Sequence, residues 1–180
     1  AVDVKVGVSA GLYLGDPDID ATTRIEKHPL CDSANHVGMA GLVVSPKTWT
    51  VFNSQNTAVI RELIPAWGMV PFVGRFDDIY ASLVVQRVAR DRGYHVRFGQ
   101  PLVWQQRNAH NLINDLRHEI GGYAGIREFA STLDHIMLPG RSVVADCRVI
   151  WDTMRAARIF PLETAPAMYA YLTDCEQVLG

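Results

Sequence analysis

A helical repeat of apolar residues in the middle of the chain is the feature that most constrains its fold. The repeat follows the i, i+3, i+4, i+7, i+8 spacing of one helix face and runs over Tyr80, Leu83, Val84, Arg87 and Val88. Gly93 supplies a C-terminal stop, and residues 94–99 (YHVRFG) then alternate as a strand that continues in extended form over residues 101–104. A helix that leads directly into a strand predicts a mixed α/β fold.

Weaker patterns predict the elements that precede this unit. Residues 2–9 alternate as a strand, and residues 10–24 (AGLYLGDPDIDATTR) are rich in Gly, Pro and Asp, which is typical of a loop. Residues 48–53 are a second strand candidate. Residues 57–66 predict a short helix that stops near Pro65.

The last third of the chain predicts helices. A polar stretch leads into a helix near residues 112–119, which Gly121 and Gly122 are expected to end. Three further apolar stripes at helical spacing lie within residues 126–137, 143–154 and 168–175. We therefore expect a mixed α/β piece followed by a helical tail that packs on the same core.

Composition and charge exclude several classes of function. A chain of 180 residues fits one domain, and a net charge of -2 at pH 7 does not suit binding to a nucleic-acid backbone. The sequence has no apolar run near the roughly 18 residues that a membrane-spanning helix needs. The three scattered cysteines, Cys31, Cys147 and Cys175, favour a reducing compartment over a disulfide framework, so we expect a cytoplasmic protein.

Three acids alternate along the predicted loop at Asp16, Asp18 and Asp20. Carboxylates at this spacing can converge on a hard cation such as Mg²⁺ or Mn²⁺, which prefers oxygen ligands. The alternative is a turn beside Pro17 in which the Asp side chains accept bonds from backbone N–H groups. Taken alone, the loop favours the turn.

Three amides, Asn53, Gln55 and Asn56, lie between a predicted strand and a predicted helix. Amides donate and accept hydrogen bonds at once, which suits the hydroxyls of a sugar. Helix N-terminal N–H groups beside them would suit a phosphate. The alternative is helix capping, with Asn53 or Thr57 as the N-cap, and without other evidence capping is preferred.

The stretch GRFDDIY, residues 74–80, places two carboxylates at the predicted start of the central helix. An Asp just before an apolar helical repeat is a favoured N-cap, worth about 1 kcal/mol, and the helix dipole favours a second acid in the first turn. One Asp satisfies the capping requirement. Asp77 and Asp78, next to Arg75, therefore leave one carboxylate to accept a proton or to orient a hydroxyl.

A cluster of Arg, Asn and His precedes the next predicted helix. Arg107 can pair bidentately with a phosphate, and His110 can complete a metal site or bind a phosphate oxygen. Asn108 and Asn111 lie at the helix start, where capping is the alternative. Two residues on the helix itself are expected on its solvated face: His118 and Glu119.

These segments, in this order, resemble the reversibly glycosylated polypeptides of plants, the UDP-arabinopyranose mutases. Residues 10–29 are similar to a family segment in which Gly-Leu-Trp-Leu precedes Pro-Asp-x-Asp-Ala, and residues 52–66 to Asn-x-Ala-Phe-x-Arg-Glu. Residues 74–82 (GRFDDIYAS) are similar to Gly-Arg-Tyr-Asp-Asp-Met-Trp-Ala-Gly. Residues 98–119 look closer to the related STELLO-type glycosyltransferases, which carry Arg-Asn-Ala-His-Asn. The resemblance covers residues 10–123.

The resemblance implies an α/β, GT-A-like fold, of which this chain would be the C-terminal portion. Residues 1–125 would be the catalytic, acceptor-side portion of that domain, and residues 126–180 a helical C-terminal extension packed on it. Asp77 and Asp78 fall where such enzymes place the catalytic or acceptor-orienting acid. His110 falls near the position of a metal or diphosphate ligand.

The leading hypothesis is a nucleotide-sugar-dependent glycosyltransferase, or a sugar-nucleotide mutase, that acts through a diphosphate bound to Mn²⁺ or Mg²⁺. The ligands would be a nucleotide sugar, with a UDP-sugar favoured, and a carbohydrate or polypeptide acceptor. Asp77 or Asp78 would act on the acceptor hydroxyl, and His110 would bind the metal. The expected substrate-binding residues are Asn53, Gln55, Asn56, Arg75, Arg107 and Asn108.

The alternative hypothesis is a non-catalytic sugar-binding or partner subunit that uses the nucleotide-binding half of another chain. It is favoured because the strands that hold the nucleotide in GT-A-like folds, and the Asp-x-Asp that ends them, are not visible upstream of Ala10. The chain also opens at Ala1 without a methionine, so we expect that a segment upstream has been removed.

Overall fold

The computed structural model describes residues 4–179 and places four strands, six α-helices and two 3₁₀ turns in that range. The strands are β1 (Lys5–Gly15), β2 (Leu42–Val43), β3 (Thr57–Val59) and β4 (Tyr94–Gln105). The helices are α1 (Ala21–Glu26), α2 (His36–Ala40), α3 (Asp77–Asp91), α4 (Leu112–His135), α5 (Val143–Ala156) and α6 (Thr164–Leu179). The 3₁₀ turns are Arg61–Ala66 and Gly74–Phe76.

The two long strands, β1 and β4, pair in parallel at the centre of an open sheet with the order β2-β4-β1-β3. The short strands β3 and β2 flank them in antiparallel orientation. The register sets Val8 beside Val96 and Ala10 beside Phe98, so apolar residues of the central strands lie side by side. The structure confirms the predicted mixed α/β fold.

Helix α3 lies at the centre of the core. Its apolar face carries the predicted period, and Tyr80, Leu83, Val84 and Val88 are all buried. Gly93 adopts the left-handed conformation (φ +72°) that commonly ends a helix, and β4 begins at the next residue. The predicted helix and the strand that follows it are both confirmed.

The C-terminal helices bury their apolar faces in the same core. The rings of Phe129 and Phe160 each lie edge-on to Tyr80 of α3, with centroids 5.0 Å away, and Trp151 of α5 and Leu172 of α6 are fully buried beside them. Edge-to-face contacts of this kind add to the free energy gained from burial. The residue 125–126 junction, where a helical extension was expected to start, falls inside α4.

The N-terminal strand is longer than predicted. β1 continues to Gly15 because its second half pairs with β4 over residues that the sequence indicated as a loop. The loop is therefore shortened to residues 16–20, and α1 follows at once with Asp20 as its N-cap. Residues 2 and 3 of the predicted strand lie outside the described residues.

Residues 48–53 were predicted as a strand and form none, while residues 57–59 were predicted as helix and form β3. The reason is visible at Thr50, whose backbone N–H donates to Gln86 Oε1 (3.1 Å) and whose carbonyl accepts from Gln86 Nε2. A buried side chain on α3 thus takes the groups that a strand ladder would use. The second half of the same predicted helix forms the 3₁₀ turn Arg61–Ala66, which ends one residue after Pro65, close to the predicted stop.

Gly121 and Gly122 do not end α4, contrary to the prediction, because the helix runs through both to His135. At Gly122 a Cβ atom would overlap the ring of Phe76, whereas at Gly121 nothing lies within 4 Å of that position. The glycine at 122 therefore lets the Gly74–Phe76 turn approach the helix closely, and packing overrides the usual cost of a mid-helix glycine.

None of the helices formed by residues 4–179 is both long and apolar enough to cross a membrane.

The two adjacent glycines give a matched test of this packing. Gly122→Ala should lower the free energy of unfolding by about 1–3 kcal/mol, since the added methyl displaces the Phe76 ring. Gly121→Ala should raise it by about 0.5–1 kcal/mol, because alanine is the better helix former at an open position. Urea unfolding of both variants measures the difference, and equal effects would contradict the contact.

Candidate functional site

The candidate site lies where the two parallel strands end. β1 and β4 finish side by side at Gly15 and Gln105, so the segments that follow them emerge from one edge of the sheet. The turn that enters β3 reaches the same edge, since Gln55 of this turn accepts a hydrogen bond from Gln105 (3.0 Å) at the end of β4. Ligands of open α/β sheets bind at the carboxyl ends of parallel strands. The topology therefore brings together three segments that are distant in sequence.

Asp18 links these segments through its carboxylate. Arg107, from the segment after β4, forms an ion pair with one oxygen, and Gln55 Nε2 donates to the other. Gln55 Oε1 in turn accepts from Gln105 Nε2 (3.0 Å) at the end of β4. Arg107 is thereby held in place, with 7% of its side chain exposed.

The other two acids of the loop have separate partners. Asp16 forms a two-pronged ion pair with Arg24 (2.6 and 3.1 Å), and this hydrogen bonding lowers the pKa of Asp16. Asp20 caps α1 by accepting from the backbone N–H and the hydroxyl of Thr23 (2.8 Å each). Burial raises the pKa of Asp20, but these hydrogen bonds outweigh it and the net shift is downward. Of the favoured interpretation, a turn in which the Asp side chains accept from backbone N–H groups, the structure shows this bond at Asp20 alone, while Asp16 and Asp18 bind arginine side chains.

The side chains near the site do not fit a divalent cation by themselves. Within the described part of the chain, no three His, Cys, Asp or Glu side chains come together as a metal site. His110, the expected metal ligand, is exposed, and its Nδ1 lies 3.0 Å from Asp115 Oδ2.

The amide-rich turn at residues 53–56 is fixed to β1. Asn53 Oδ1 accepts from the hydroxyl of Tyr13 (2.9 Å), and Asn56 Nδ2 donates to the carbonyl of Leu12 (3.1 Å). Thr57 Oγ1 donates to the carbonyl of Asn53 (2.7 Å). Because β3 replaces the predicted helix, none of these residues is a helix N-cap. Their side chains hold the turn against the strand and leave Gln55 exposed at the edge.

Asp77 and Asp78 both lie in the first turn of α3, and neither is its N-cap. Phe76 occupies that position without a side-chain capping bond. Asp77 Oδ1 accepts from the backbone N–H of Asp78 (2.9 Å). The capping role expected for one aspartate is therefore replaced by a bond within the first turn.

Asp78 reaches the amide-rich turn. Its Oδ2 accepts from both the backbone N–H (2.8 Å) and the hydroxyl (3.1 Å) of Ser54. Burial raises the pKa of this carboxyl, against the opposing hydrogen bonds from Ser54, and the charge of Asp77 raises it further. A carboxyl with a raised pKa, oriented through one oxygen, has the properties of a general base.

Arg75 binds α4. Its guanidinium lies between Asp115 (3.4 Å) and Glu119 (3.3 Å). Glu119 also accepts from the backbone N–H of Ala21 (2.9 Å) and from the hydroxyl of Tyr123 (3.2 Å), whose pKa burial raises to about 12. Glu119 was expected on a solvated face and is buried, because these three donors meet its carboxylate.

Asn108 and Asn111 lie in the segment that leads into α4. Asn111 caps α4 by accepting from the backbone N–H of Asn114 (3.1 Å), which confirms the capping alternative. Asn108 is exposed beside Arg107. The structure thus brings Asp78, the 53–56 turn and Arg107 to one edge.

Sequence reasoning missed Tyr13, Ser54 and Glu119. Tyr13 lies at the position where the Gly-Leu-Trp-Leu pattern has Trp, in a segment predicted as a loop that belongs to β1. Ser54 lies among the three amides of its turn, and a serine in a turn is too common to indicate a functional site. No local pattern indicates Glu119, because its partners lie on three other segments.

Comparison with known proteins shows which family the chain resembles. A sequence model of the family described as "Reversibly glycosylated polypeptide" matches residues 2–171. Among curated proteins, "UDP-arabinopyranose mutase 3" of Arabidopsis thaliana is 31% identical over 138 residues, which is 73% of this chain and 37% of that protein. "Probable UDP-arabinopyranose mutase 1" of Pisum sativum is 32% identical over 125 residues, 66% of this chain and 34% of that protein.

A third relative is matched over a similar share of its length. "Probable UDP-arabinopyranose mutase 2" of Solanum tuberosum is 31% identical over 121 residues, 64% of this chain and 32% of that protein. The chain therefore spans about a third of the length of the curated relatives it matches.

The environment of Asp78 predicts its titration. We expect its pKa to lie above the ordinary range for Asp, and Ser54→Ala to raise it further by removing a hydrogen bond to the charged form. Titration of the carboxyl carbons by ¹³C NMR measures both. Asp16, whose pKa Arg24 lowers, is the internal control. An Asp78 that titrates in or below the ordinary range would contradict the assignment.

The same shift predicts a trend in stability. A raised pKa means that the folded chain holds this proton more tightly than the unfolded chain. Asp78 therefore contributes stability that is present below its unfolded pKa and lost as pH rises through its folded pKa. The free energy of unfolding of Asp78→Asn, relative to wild type, should rise across that interval, as urea unfolding at a series of pH values would measure.

Proposed function

The chain belongs to the reversibly glycosylated polypeptide family, and on that premise we propose that it acts on a UDP-sugar, as a glycosyltransferase or a sugar-nucleotide mutase. The family relatives carry the name UDP-arabinopyranose mutase, which supports a UDP-sugar as the ligand. A GT-A-like arrangement, of which these residues form the acceptor-side part, is consistent with the parallel strand pair and with a site at its carboxyl edge.

One observation carries the proposal, the convergence of distant motifs at that edge. Ser54 of the amide-rich turn binds Asp78 of α3, and Gln55 of the same turn binds Asp18, which is paired with Arg107. Each of these bonds, considered by itself, could serve only to stabilise the fold. Their concentration at the place where open α/β sheets bind ligands supports a single site for substrate.

Asp78 is the proposed proton acceptor. Both bonds from Ser54 end on Oδ2, so the carboxylate is held in one orientation while Oδ1 is left for an acceptor hydroxyl. Removal of the hydroxyl proton would make that oxygen a stronger nucleophile toward the sugar carbon, with the UDP diphosphate as the leaving group. Asp77 supports this role electrostatically, because its negative charge raises the pKa of Asp78.

Polar groups around Asp78 are proposed to bind the sugar nucleotide. Gln55 and Asn108 are exposed at the edge and offer amides to hydroxyl or phosphate oxygens. Arg107 uses Nη1 for its bonds to Asp18 and to the carbonyl of Ile19, so its other N–H groups would face a diphosphate. Asn53 and Asn56 hold the turn, and Arg75 holds α3 against α4.

The described residues do not form a complete site for Mn²⁺ or Mg²⁺, so these roles rest on side chains alone. A divalent ion on the diphosphate would supply Lewis-acid neutralisation of the leaving group. Titration with and without Mn²⁺ tests whether it is required.

A second candidate function is a non-catalytic sugar-binding or partner subunit. The observation that favours it is that Asn53, Asn56 and Arg75, three of the expected substrate-binding residues, already form bonds within the chain. Such a subunit would bind a sugar nucleotide only together with a second chain, whereas the enzyme would bind it alone. Three free thiols support a reducing, cytoplasmic setting for either function.

A pair of isosteric substitutions on α3 tests the enzyme proposal. Asp78→Asn should reduce turnover of a UDP-sugar by at least about 100-fold, the usual contribution of a general base, and leave the fold intact. Asp91→Asn, on the last residue of the same helix and paired with Arg87, should leave turnover unchanged. Wild-type turnover in Asp78→Asn would remove Asp78 from the mechanism.

Calorimetric titration with a panel of UDP- and GDP-sugars, with and without Mn²⁺, tests the ligand. We expect UDP-sugars to bind and Arg107→Gln to weaken them about tenfold or more through loss of a charge-assisted bond. Arg148→Gln, which removes an exposed pair with Glu176 on the helical tail, is the control and should bind normally. Failure of every sugar nucleotide to bind would count against the enzyme and favour the subunit.

A further inference from the structure

His110 is oriented by Asp115, which is in turn paired with Arg75, and no sequence motif indicates these contacts. Its Nδ1 lies 3.0 Å from Asp115 Oδ2, and the other oxygen of Asp115 faces Arg75 Nη1 (3.4 Å). Asp115 lies in the first turn of α4, five residues after His110, with 11% of its side chain exposed, while 31% of the His110 side chain is exposed. The imidazole is therefore fixed from one side and open on the other.

The chemistry of the partner decides which ring nitrogen carries the proton. The carboxylate of Asp115 is paired with the Arg75 guanidinium, so it can accept hydrogen bonds but cannot donate them. The hydrogen of its bond with His110 must therefore lie on Nδ1. In a neutral imidazole the other nitrogen, Nε2, is then an acceptor with a free lone pair.

Asp115 is itself held firmly. Arg75 bridges it to Glu119, and Glu119 accepts from the first backbone N–H of α1. Arg75 belongs to the turn that leads into Asp77 and Asp78. The carboxylate that orients His110 is thus tied to the segment that carries the proposed base.

We propose that Asp115 is a positioning residue that fixes the Nδ1–H tautomer of His110, so that Nε2 accepts a hydrogen bond from a hydroxyl of the sugar in the bound UDP-sugar. The choice of ligand rests on the proposed function, whereas the tautomer does not. A neutral imidazole in this tautomer offers no hydrogen to a phosphate oxygen at Nε2, which distinguishes a hydroxyl partner from a diphosphate. The sequence had indicated phosphate or metal for this residue.

The tautomer is measured directly by long-range ¹H–¹⁵N correlation of the histidine rings, at a pH where His110 is neutral. We expect the wild-type ring to carry its proton on Nδ1, and Asp115→Ala to shift it toward Nε2. Asp115→Asn, which keeps the shape and restores an acceptor oxygen, should retain part of the wild-type signature if Asp115→Ala folds poorly. A wild-type His110 protonated on Nε2 would overturn the proposal.

The ligand is tested by comparing a UDP-sugar with UDP. His110→Ala should weaken the UDP-sugar about tenfold and leave UDP unchanged, because one hydrogen bond to the sugar is lost. Asp115→Asn should weaken the UDP-sugar by less. His118→Ala, at an exposed residue on α4, is the control and should bind both ligands normally.

Three outcomes would overturn the assignment to a sugar hydroxyl. Equal weakening of UDP would place His110 at the nucleotide or diphosphate. Selective broadening of the His110 signals by stoichiometric Mn²⁺ would make it a metal ligand. Absence of UDP-sugar binding by the wild-type chain would overturn both this ligand and the proposed function, while an Nδ1–H tautomer in the same sample would still confirm the role of Asp115.

Discussion

The parallel pairing of β1 with β4 is the constraint on which the rest of the structure depends. Parallel strands end at the same edge of a sheet, so the segments after Gly15 and after Gln105 have to emerge together. The ion pair between Asp18 and Arg107 is a consequence of that geometry. Antiparallel pairing of the same strands would separate these two segments by the length of the sheet, and the candidate site would not exist.

The carboxylates of the site differ through their partners rather than through their sequence context. Asp16 faces a guanidinium and its pKa is lowered, while Asp78 is mostly covered, receives neutral donors from Ser54 and has a raised pKa. A strongly paired carboxylate is a poor base, since its proton affinity is reduced. We therefore propose a structural role for Asp16 and a chemical role for Asp78, a division that the spacing of the aspartates does not indicate.

Local sequence patterns predicted the elements that bury one face. They failed where a side chain distant in sequence determines the conformation of the backbone. The helical spacing of Tyr80, Leu83 and Val88 depends on α3 alone, and the buried face that it predicted is confirmed. Residues 48–53 were a strand candidate, but Gln86 binds the backbone groups of Thr50, and no local pattern indicates a partner 36 positions away. The candidate site was predictable as a set of motifs, whereas its contacts, such as Ser54 to Asp78, required the topology.

The long separation of β1 and β4 in the sequence also sets the order in which the molecule can assemble. Residues paired between these strands lie about ninety positions apart, and closing so long a loop costs chain entropy that is regained only when the core forms around α3. The backbone hydrogen bonds of helices α4 to α6 are local and need no such loop closure, so these helices can form earlier and acquire distant packing partners, such as Tyr80 for Phe129, later. We therefore expect a folding intermediate to be helical yet to lack the edge where Asp18 meets Arg107, so that ligand affinity appears in the last step of folding.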